Sequence, residues 1–255
     1  MVFSVDQRKE KILEILAESG KVRVSNLSHL FQVSEVTIRI DLADLESRGL
    51  LSRVHGGAVS SYKNYYNMNF HQRSSTNEDQ KRTIAEYVAN VVKDNDTIMM
   101  NAGTTTLFAL RSLNGRKNIK IVTNSIAIAL EASGNLNFDV VLLGGLVNTM
   151  YQFTYGDDAL HQLSQYHADK LILSVDGVNA ENGLSTYYNQ EAEICRQMLR
   201  LSDNAIIAAD YTKIGRTALT RISPLSTAEC LVTNKKANKD ELASISKSGV
   251  QIVTV

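Results

Sequence analysis

From residue 78 onward, short β-branched and apolar runs alternate with amphipathic stretches, and this alternation restricts the fold more than any other feature of the chain. Strands are expected at 96–100, 119–122, 138–143, 169–174, 204–208, 229–232 and 250–254, and helices at 78–92, 104–113, 124–132, 157–166, 189–201 and 238–247. Strands separated by helices pair in parallel and are covered on both faces, so an α/β domain with a mainly parallel sheet is expected over 78–255. The chain has 255 residues, 44% of them hydrophobic and 21% charged. That is enough apolar material for such a core and for a second, smaller unit.

In a parallel sheet, ligands gather beyond the C-terminal ends of the strands. Five of those ends carry small, polar or charged residues: Asn101 with Gly103-Thr104-Thr105-Thr106, Thr123-Asn124-Ser125, Gly144-Gly145, Asp176-Gly177, and Asp210 with Lys213. The first is the sharpest. A glycine and three hydroxyls at a strand-to-helix junction offer free N–H groups, the positive end of a helix dipole and hydroxyl donors, which together suit a phosphate. The plain structural alternative is a threonine cap after a glycine turn. Lys213 can supply charge for a phosphate and favours the first reading. Asp176 and Glu191 can accept from sugar hydroxyls, and Asn124 can also donate. Loop capping and a carboxylate favoured by a helix dipole are the structural alternatives for the two acids. An anion site of this kind is expected to have a cavity that admits a solute.

The first fifty-nine residues read differently. A helix at 6–19 ends at Gly20, an extended piece covers Val22–Val24, and Ser25 is placed as the cap of a second helix carrying Leu27, Leu30 and Phe31. After a turn at Gln32-Val33, Ser34 caps a third helix that ends before Gly49. There Ile38, Leu42 and Leu45 share one face, while Glu35, Val36, Arg39, Ile40 and Ala43 share the other. Two helices joined by a tight turn match helix-turn-helix spacing. The sequence that follows, Leu50 to Val54, then His55-Gly56-Gly57, then Ala58-Val59, is a hairpin signal and would form a wing. This stretch holds eight Lys/Arg and eight Asp/Glu, so placement rather than bulk charge points to DNA. Ser34, Glu35, Thr37 and Arg39 lie at the start of the third helix, and Arg53 and His55 lie on the wing. Asp41 and Glu46 read as partners in buried or rim ion pairs that orient arginines. A bare three-helix unit with a solvated face is the bland alternative.

The segment VSEVTIRIDLADLESRGLLSRVHGGAV (33–59) resembles the signature of the DeoR family of bacterial transcriptional regulators. Ile40 departs from that pattern, where a second arginine or a polar residue is common, and suits an apolar contact with a thymine methyl. The resemblance continues through GTTT, the TN after the second strand, GG after the third, DG after the next, and D-x-x-K at 210–213, and so spans essentially the whole chain. It implies a winged helix-turn-helix at 1–59 and an effector-sensing domain of ribose-5-phosphate isomerase-like fold at 78–255. It also implies a repressor of a carbohydrate catabolic operon that leaves double-stranded operator DNA when a phosphorylated sugar binds.

Other functions fit less well. Isomerases of that fold carry a D-G-A-D-E type segment; here Asp176-Gly177-Val178-Asn179-Ala180 replaces two acids, and the acid/base set for moving a proton beside a carbonyl is incomplete. The enzyme alternative is therefore set below the sensor. The five histidines show no metal-ligand spacing, Cys195 reads as a buried small hydrophobe, and zinc, Walker and GxGxxG motifs are absent, so neither metal nor cofactor is expected. Two cysteines, a charged N-terminus and no long apolar run point to the cytoplasm and away from membranes. Residues 60–77, polar with Tyr62, Tyr65, Tyr66 and Phe70 interspersed, read as an interdomain linker whose aromatics pack on the second domain. A homo-oligomer is expected, because paired half-sites mirror protein symmetry.

Overall fold

The computed structural model describes residues 4–47, 51–59 and 68–255, which form two compact units divided after Met68. In the first unit, α1 (Val5–Ser19) starts on a capping box between Ser4 and Gln7 and ends at Gly20 in the left-handed conformation. Then follow β1 (Lys21–Arg23), α2 (Val24–Phe31), α3 (Glu35–Ser47), β2 (Ser52–Val54) and β3 (Gly57–Val59). Ser25 does not cap α2. The helix begins two residues earlier, with Arg23 at the cap position, and the Val24 N–H donates to the Gly56 carbonyl in the wing turn (2.9 Å). Ser34 does cap α3: its Oγ accepts from the Thr37 N–H at 3.0 Å. The three strands form one antiparallel sheet in the order β1-β3-β2. Gly57 is required there, since a Cβ would lie 1.9 Å from the Val22 carbonyl oxygen.

The core of this unit is Ile12, Leu16, Leu27, Phe31, Ile38, Leu42, Leu45 and Leu51. Beside it the Arg8 guanidinium meets Asp41 with two bonds, Nε to Oδ2 at 2.6 Å and a terminal nitrogen to Oδ1 at 3.1 Å, and both side chains are buried. Lys9 pairs with Asp44 at 2.8 Å, so two ion pairs tie α1 to α3. The end of the third helix before Gly49 and the linker aromatics Tyr62, Tyr65 and Tyr66 lie outside the described residues.

The second unit opens within the stretch read as linker. Asn69 and Gln72 form a capping box that starts α4 (Phe70–Ser75), and Phe70 is buried in the core of this unit. Next come α5 (Glu78–Val91), β4 (Thr97–Met100), α6 (Thr104–Ser112), β5 (Ile119–Thr123), α7 (Ile126–Ala132) and β6 (Phe138–Leu142). These are followed by β7 (Leu146–Asn148), β8 (Phe153–Tyr155), α8 (Asp157–Leu163), β9 (Ala168–Leu173), β10 (Gly177–Asn179) and β11 (Gly183–Thr186). The chain closes with α9 (Asn189–Arg200), β12 (Ser202–Ala208), β13 (Thr220–Ser223), β14 (Cys230–Thr233), α10 (Lys239–Ser246) and β15 (Gln251–Thr254).

Seven strands make one sheet, ordered β15-β14-β12-β9-β4-β5-β6, and every pairing in it is parallel. Alternate residues serve opposite faces, as the pleat requires. Ile98, Met100, Ile172, Ile206 and Val232 pack with side chains of α5, α6 and α7, whereas Met99, Leu171, Leu173, Ile207 and Leu231 pack with those of α8, α9 and α10. From β4 the chain winds outward through β5 and β6, then crosses back to β9 and winds the other way. The order therefore reverses between β4 and β9, the place where open parallel sheets form ligand sites. The β7–β8 hairpin and the β10-β11-β13 sheet lie outside the seven strands and were not anticipated from the strand pattern.

Candidate functional site

At the reversal point Asn101 joins the two strand ends. Its amide nitrogen donates to the Ser174 carbonyl (2.9 Å), and its oxygen accepts from the Ser174 N–H (2.8 Å). Gly103 then passes against Ser174 so closely that a Cβ would stand 2.5 Å from the serine Cβ. This close passage delivers the chain into α6, whose first three residues are threonines. Thr106 is spent on the scaffold: its hydroxyl donates to the Asn101 and Gly103 carbonyls, both at 2.8 Å. Thr104 and Thr105 are each 4% exposed and open the helix, where Gly103 provides no side-chain cap. Two nearly buried threonines beside the N–H groups of a helix start have the chemistry that suits an anion.

At the ends of the neighbouring strands lies a group of buried titratable side chains. Asp176, following β9, accepts from the Tyr187 N–H (3.0 Å) and from the Thr186 hydroxyl (3.1 Å). The same hydroxyl lies 2.8 Å from a Glu191 oxygen. One hydroxyl proton cannot serve two carboxylates, so a proton on Glu191 closes the chain. Burial, and then the neighbouring Asp176, push the Glu191 carboxyl up to about 8. Lys213, in a short 3-10 turn (Tyr211–Lys213) begun by Asp210, is pulled down to about 8 by burial, against the opposing pull of Asp210 and Asp176.

Two further cations belong here that sequence reasoning missed. Arg73 of α4 is buried, with its guanidinium carbon 3.5 Å above the Tyr151 ring, and its charge acts on Glu191 and Lys213. Lys81 of α5 is buried and donates to the carbonyls of Arg73, Ser74 and Thr76, closing the C-terminal end of α4. Burial lowers Lys81 to about 8, with Asp210 opposing. The Asn69–Gln72 capping box was the available signal for Arg73; for Lys81 none existed, because it sits in an ordinary amphipathic helix.

The remaining expected residues fare differently. Asn124 is fully buried and gives both ends of its amide to the scaffold, accepting from the Ala102 N–H (3.1 Å) and donating to the Thr154 carbonyl (3.2 Å). Asn101 is likewise committed. Gly144 donates its N–H to Gln162 (2.9 Å), and Gly145 turns the chain into the β7–β8 hairpin beyond the edge strand β6, away from the reversal point. Asn179 holds its own hairpin turn, accepting from the N–H groups of Glu181 and Asn182 at 3.0 Å. Cys195 is buried, and burial first and Glu191 second raise its thiol well above the usual range.

Tyr151 and Phe153, 1% and 0% exposed, pack with Ala102 and are edged by Tyr155 and Tyr188. Cavities of about 750, 440, 290 and 200 Å³ are lined by other residues; the first lies between α6 and α7 beside Arg111, Glu131 and Leu136. Tyr151 and Phe153 thus form an aromatic patch beside Ala102 and Arg73 that the sequence did not announce.

On the first unit, Ser34, Glu35, Arg39, Arg53 and His55 are exposed and Thr37 half-exposed. Arg39 pairs with Glu35 at 2.5 Å and Arg53 with Glu46 at 2.7 Å. The Ser34 and Thr37 hydroxyls lie 2.9 Å apart at the start of α3. Among the described residues no helix is long and apolar enough to cross a membrane, and no group of His, Cys, Asp and Glu is placed to hold a metal.

A family model described as the DeoR-like helix-turn-helix domain matches residues 8–64, and one described as the DeoR C terminal sensor domain matches 76–235. The transcriptional regulator GolR of Listeria innocua is 31% identical, covering 96% of this chain and 97% of its own. The transcriptional repressor AccR of Agrobacterium fabrum is 30% identical over 92% of each. A "Probable sor Operon Regulator" from Shigella flexneri aligns at 12% identity and TM-score 0.45, over 68% of this chain and 89% of that one. The match runs from the reading head through the sensor: the chain belongs to the DeoR family of transcriptional regulators.

Proposed function

We propose that this DNA-binding regulator is a repressor of a carbohydrate catabolic operon and that a phosphorylated sugar, bound at the reversal point of the sheet, releases it. The observation that carries this reading is the pair of nearly buried threonines, Thr104 and Thr105, at the start of α6. They share the strand-end region with the buried cations Arg73, Lys81 and Lys213, whose charges act on one another. With Glu191 holding a proton at neutral pH, positive charge outnumbers negative in that cluster, which suits a dianionic phosphate. Asp176 and Glu191 are the groups for sugar hydroxyls. Entry of the ligand displaces Tyr151, and with it the contact to Arg73 on the helix nearest in sequence to the DNA-binding unit. Asn101, Thr106 and Asn124 shape the site without touching the ligand, and Gly144-Gly145 shapes its rim.

The double variant Thr104→Ala with Thr105→Ala is expected to bind operator DNA as the parent does and to lose release by the sugar phosphate. Gel-shift titration with and without effector reads both properties; release that survives overturns the assignment.

On the DNA side, α3 enters the major groove, Ser34, Glu35, Thr37 and Arg39 face the duplex, and Arg53 and His55 of the wing meet the backbone, in a symmetric homo-oligomer on paired half-sites. Arg39→Ala is expected to weaken operator binding by about 1–3 kcal/mol, the range for a base-reading arginine. An unchanged binding curve at fixed salt removes Arg39 from the contact set.

A further inference from the structure

The outward face of α3 is unusually apolar for a surface that meets nucleic acid. Ile38, Leu42 and Leu45 turn inward and are buried, whereas Val36 and Ile40 are 61% and 64% exposed. These two β-branched side chains are one helical turn apart on the same side. The charged residues interleaved with them, Glu35 and Arg39, pair with each other. The whole face therefore carries a self-neutralised ion pair and two bare aliphatic side chains.

Among the described residues, the core of this unit does not include those two side chains. Val36 lies within the Ser34–Thr37 start of the helix and Ile40 one turn further on, both inside the segment matched by the helix-turn-helix family model. In the major groove the one apolar group on a base edge is the C5-methyl of thymine. A phosphate or a guanine edge would gain nothing from valine or isoleucine, whereas a methyl group would be removed from water on contact.

We infer that Val36 and Ile40 read thymine methyl groups and set the specificity of this regulator for thymine at two positions of each half-site. The inference rests on the reading that α3 enters the major groove. It adds apolar contact to whatever sequence preference Arg39 supplies.

Uracil differs from thymine only in lacking that methyl, so the test needs no change in hydrogen bonding. The full chain is used to select duplexes from a random pool, and each thymine of the winning sequence is then replaced by uracil in turn. One or two replacements per half-site are expected to weaken binding about fourfold each, the effect of one buried methyl. Val36→Ala and Ile40→Ala, both at exposed helix positions, are expected to melt like the parent. Each should bind the thymine duplex more weakly and lose sensitivity to uracil at one position. Uracil replacement without effect at every position overturns the inference while leaving DNA binding standing. So does a uracil penalty that persists in both alanine variants. A chain that associates with itself through this face would show a changed oligomeric state in the alanine variants with an unchanged uracil profile, and that too overturns it. Failure to select or bind any duplex removes the groove reading itself.

Discussion

Asp41→Ala is expected to abolish DNA binding at 37 °C by unfolding the first unit while the sensor unit remains folded. Asp41 is on α3, the helix proposed to carry the DNA-facing residues, but it points inward and takes both bonds from Arg8 of α1. Both side chains are buried, with 8% and 3% of their surface exposed. Removing the carboxylate leaves a guanidinium in the core margin without its counter-ion, and breaking such a pair costs about 3–5 kcal/mol. A unit of this size buries a small core and has little stability to spare. Amide hydrogen exchange should show early loss of protection in α1–α3 and none in the seven-stranded sheet. The paired variant Arg8→Met with Asp41→Leu removes both charges and is expected to recover most of the stability, because a hydrophobic pair of similar volume does the same packing. If Asp41→Ala alone leaves exchange in α1–α3 unchanged, the ion pair is ornamental. The same residue would look, on charge alone, like a repeller of DNA; its burial makes it a brace.

Much of this architecture could be read from the residues because periodicity and burial coincide in it. The alternation that gave β4, β5, β9, β12, β14 and β15 is a property of strands covered on both faces, where every position must be apolar. The small β7–β8 and β10-β11-β13 additions have no such burden and left no periodic trace. Gly103 to Thr105, Asp176 and Lys213 stood out in the sequence because strand ends in a parallel sheet are places where chemistry-bearing residues gather. Asn101 and Asn124 were equally prominent for a different reason: amides that tie strand ends together look, in one dimension, like amides that hold a ligand. Arg73 was hidden because its six-residue helix is too short for a pattern. The aromatic patch formed by Tyr151 and Phe153 was hidden because it depends on which loop folds over which strand, and spacing does not encode that.

Lys213→Met is expected to raise the thermal stability of the sensor unit at pH 7 and at the same time to weaken effector binding by about 100-fold. Burial lowers the Lys213 ammonium from 10.5 to about 8. A lowered lysine contributes no penalty above its unfolded value. The penalty grows as pH falls from 10.5 towards 8 and is fully present at pH 7. Methionine keeps the length of the side chain and removes the charge, so that penalty disappears and the melting temperature should rise. A phosphate would repay the same cost by pairing with the ammonium, and losing such a partner typically costs about 2–5 kcal/mol of binding. The parent should show the same chemistry as a pH profile. Lys81 and Lys213 lose protons near 8. Glu191, whose stabilising contribution is complete below 4.5 and is lost as pH rises through about 8, gains a negative charge there. All three changes act against an anion, so effector affinity should fall steeply between pH 7.5 and about 9, and calorimetry should show proton uptake on binding in that window. In Lys213→Met the residual profile should be shallower. An unaltered affinity in Lys213→Met, or an affinity in the parent that rises with pH, would place the anion elsewhere and leave the buried lysine as a stability cost with no binding role to offset it.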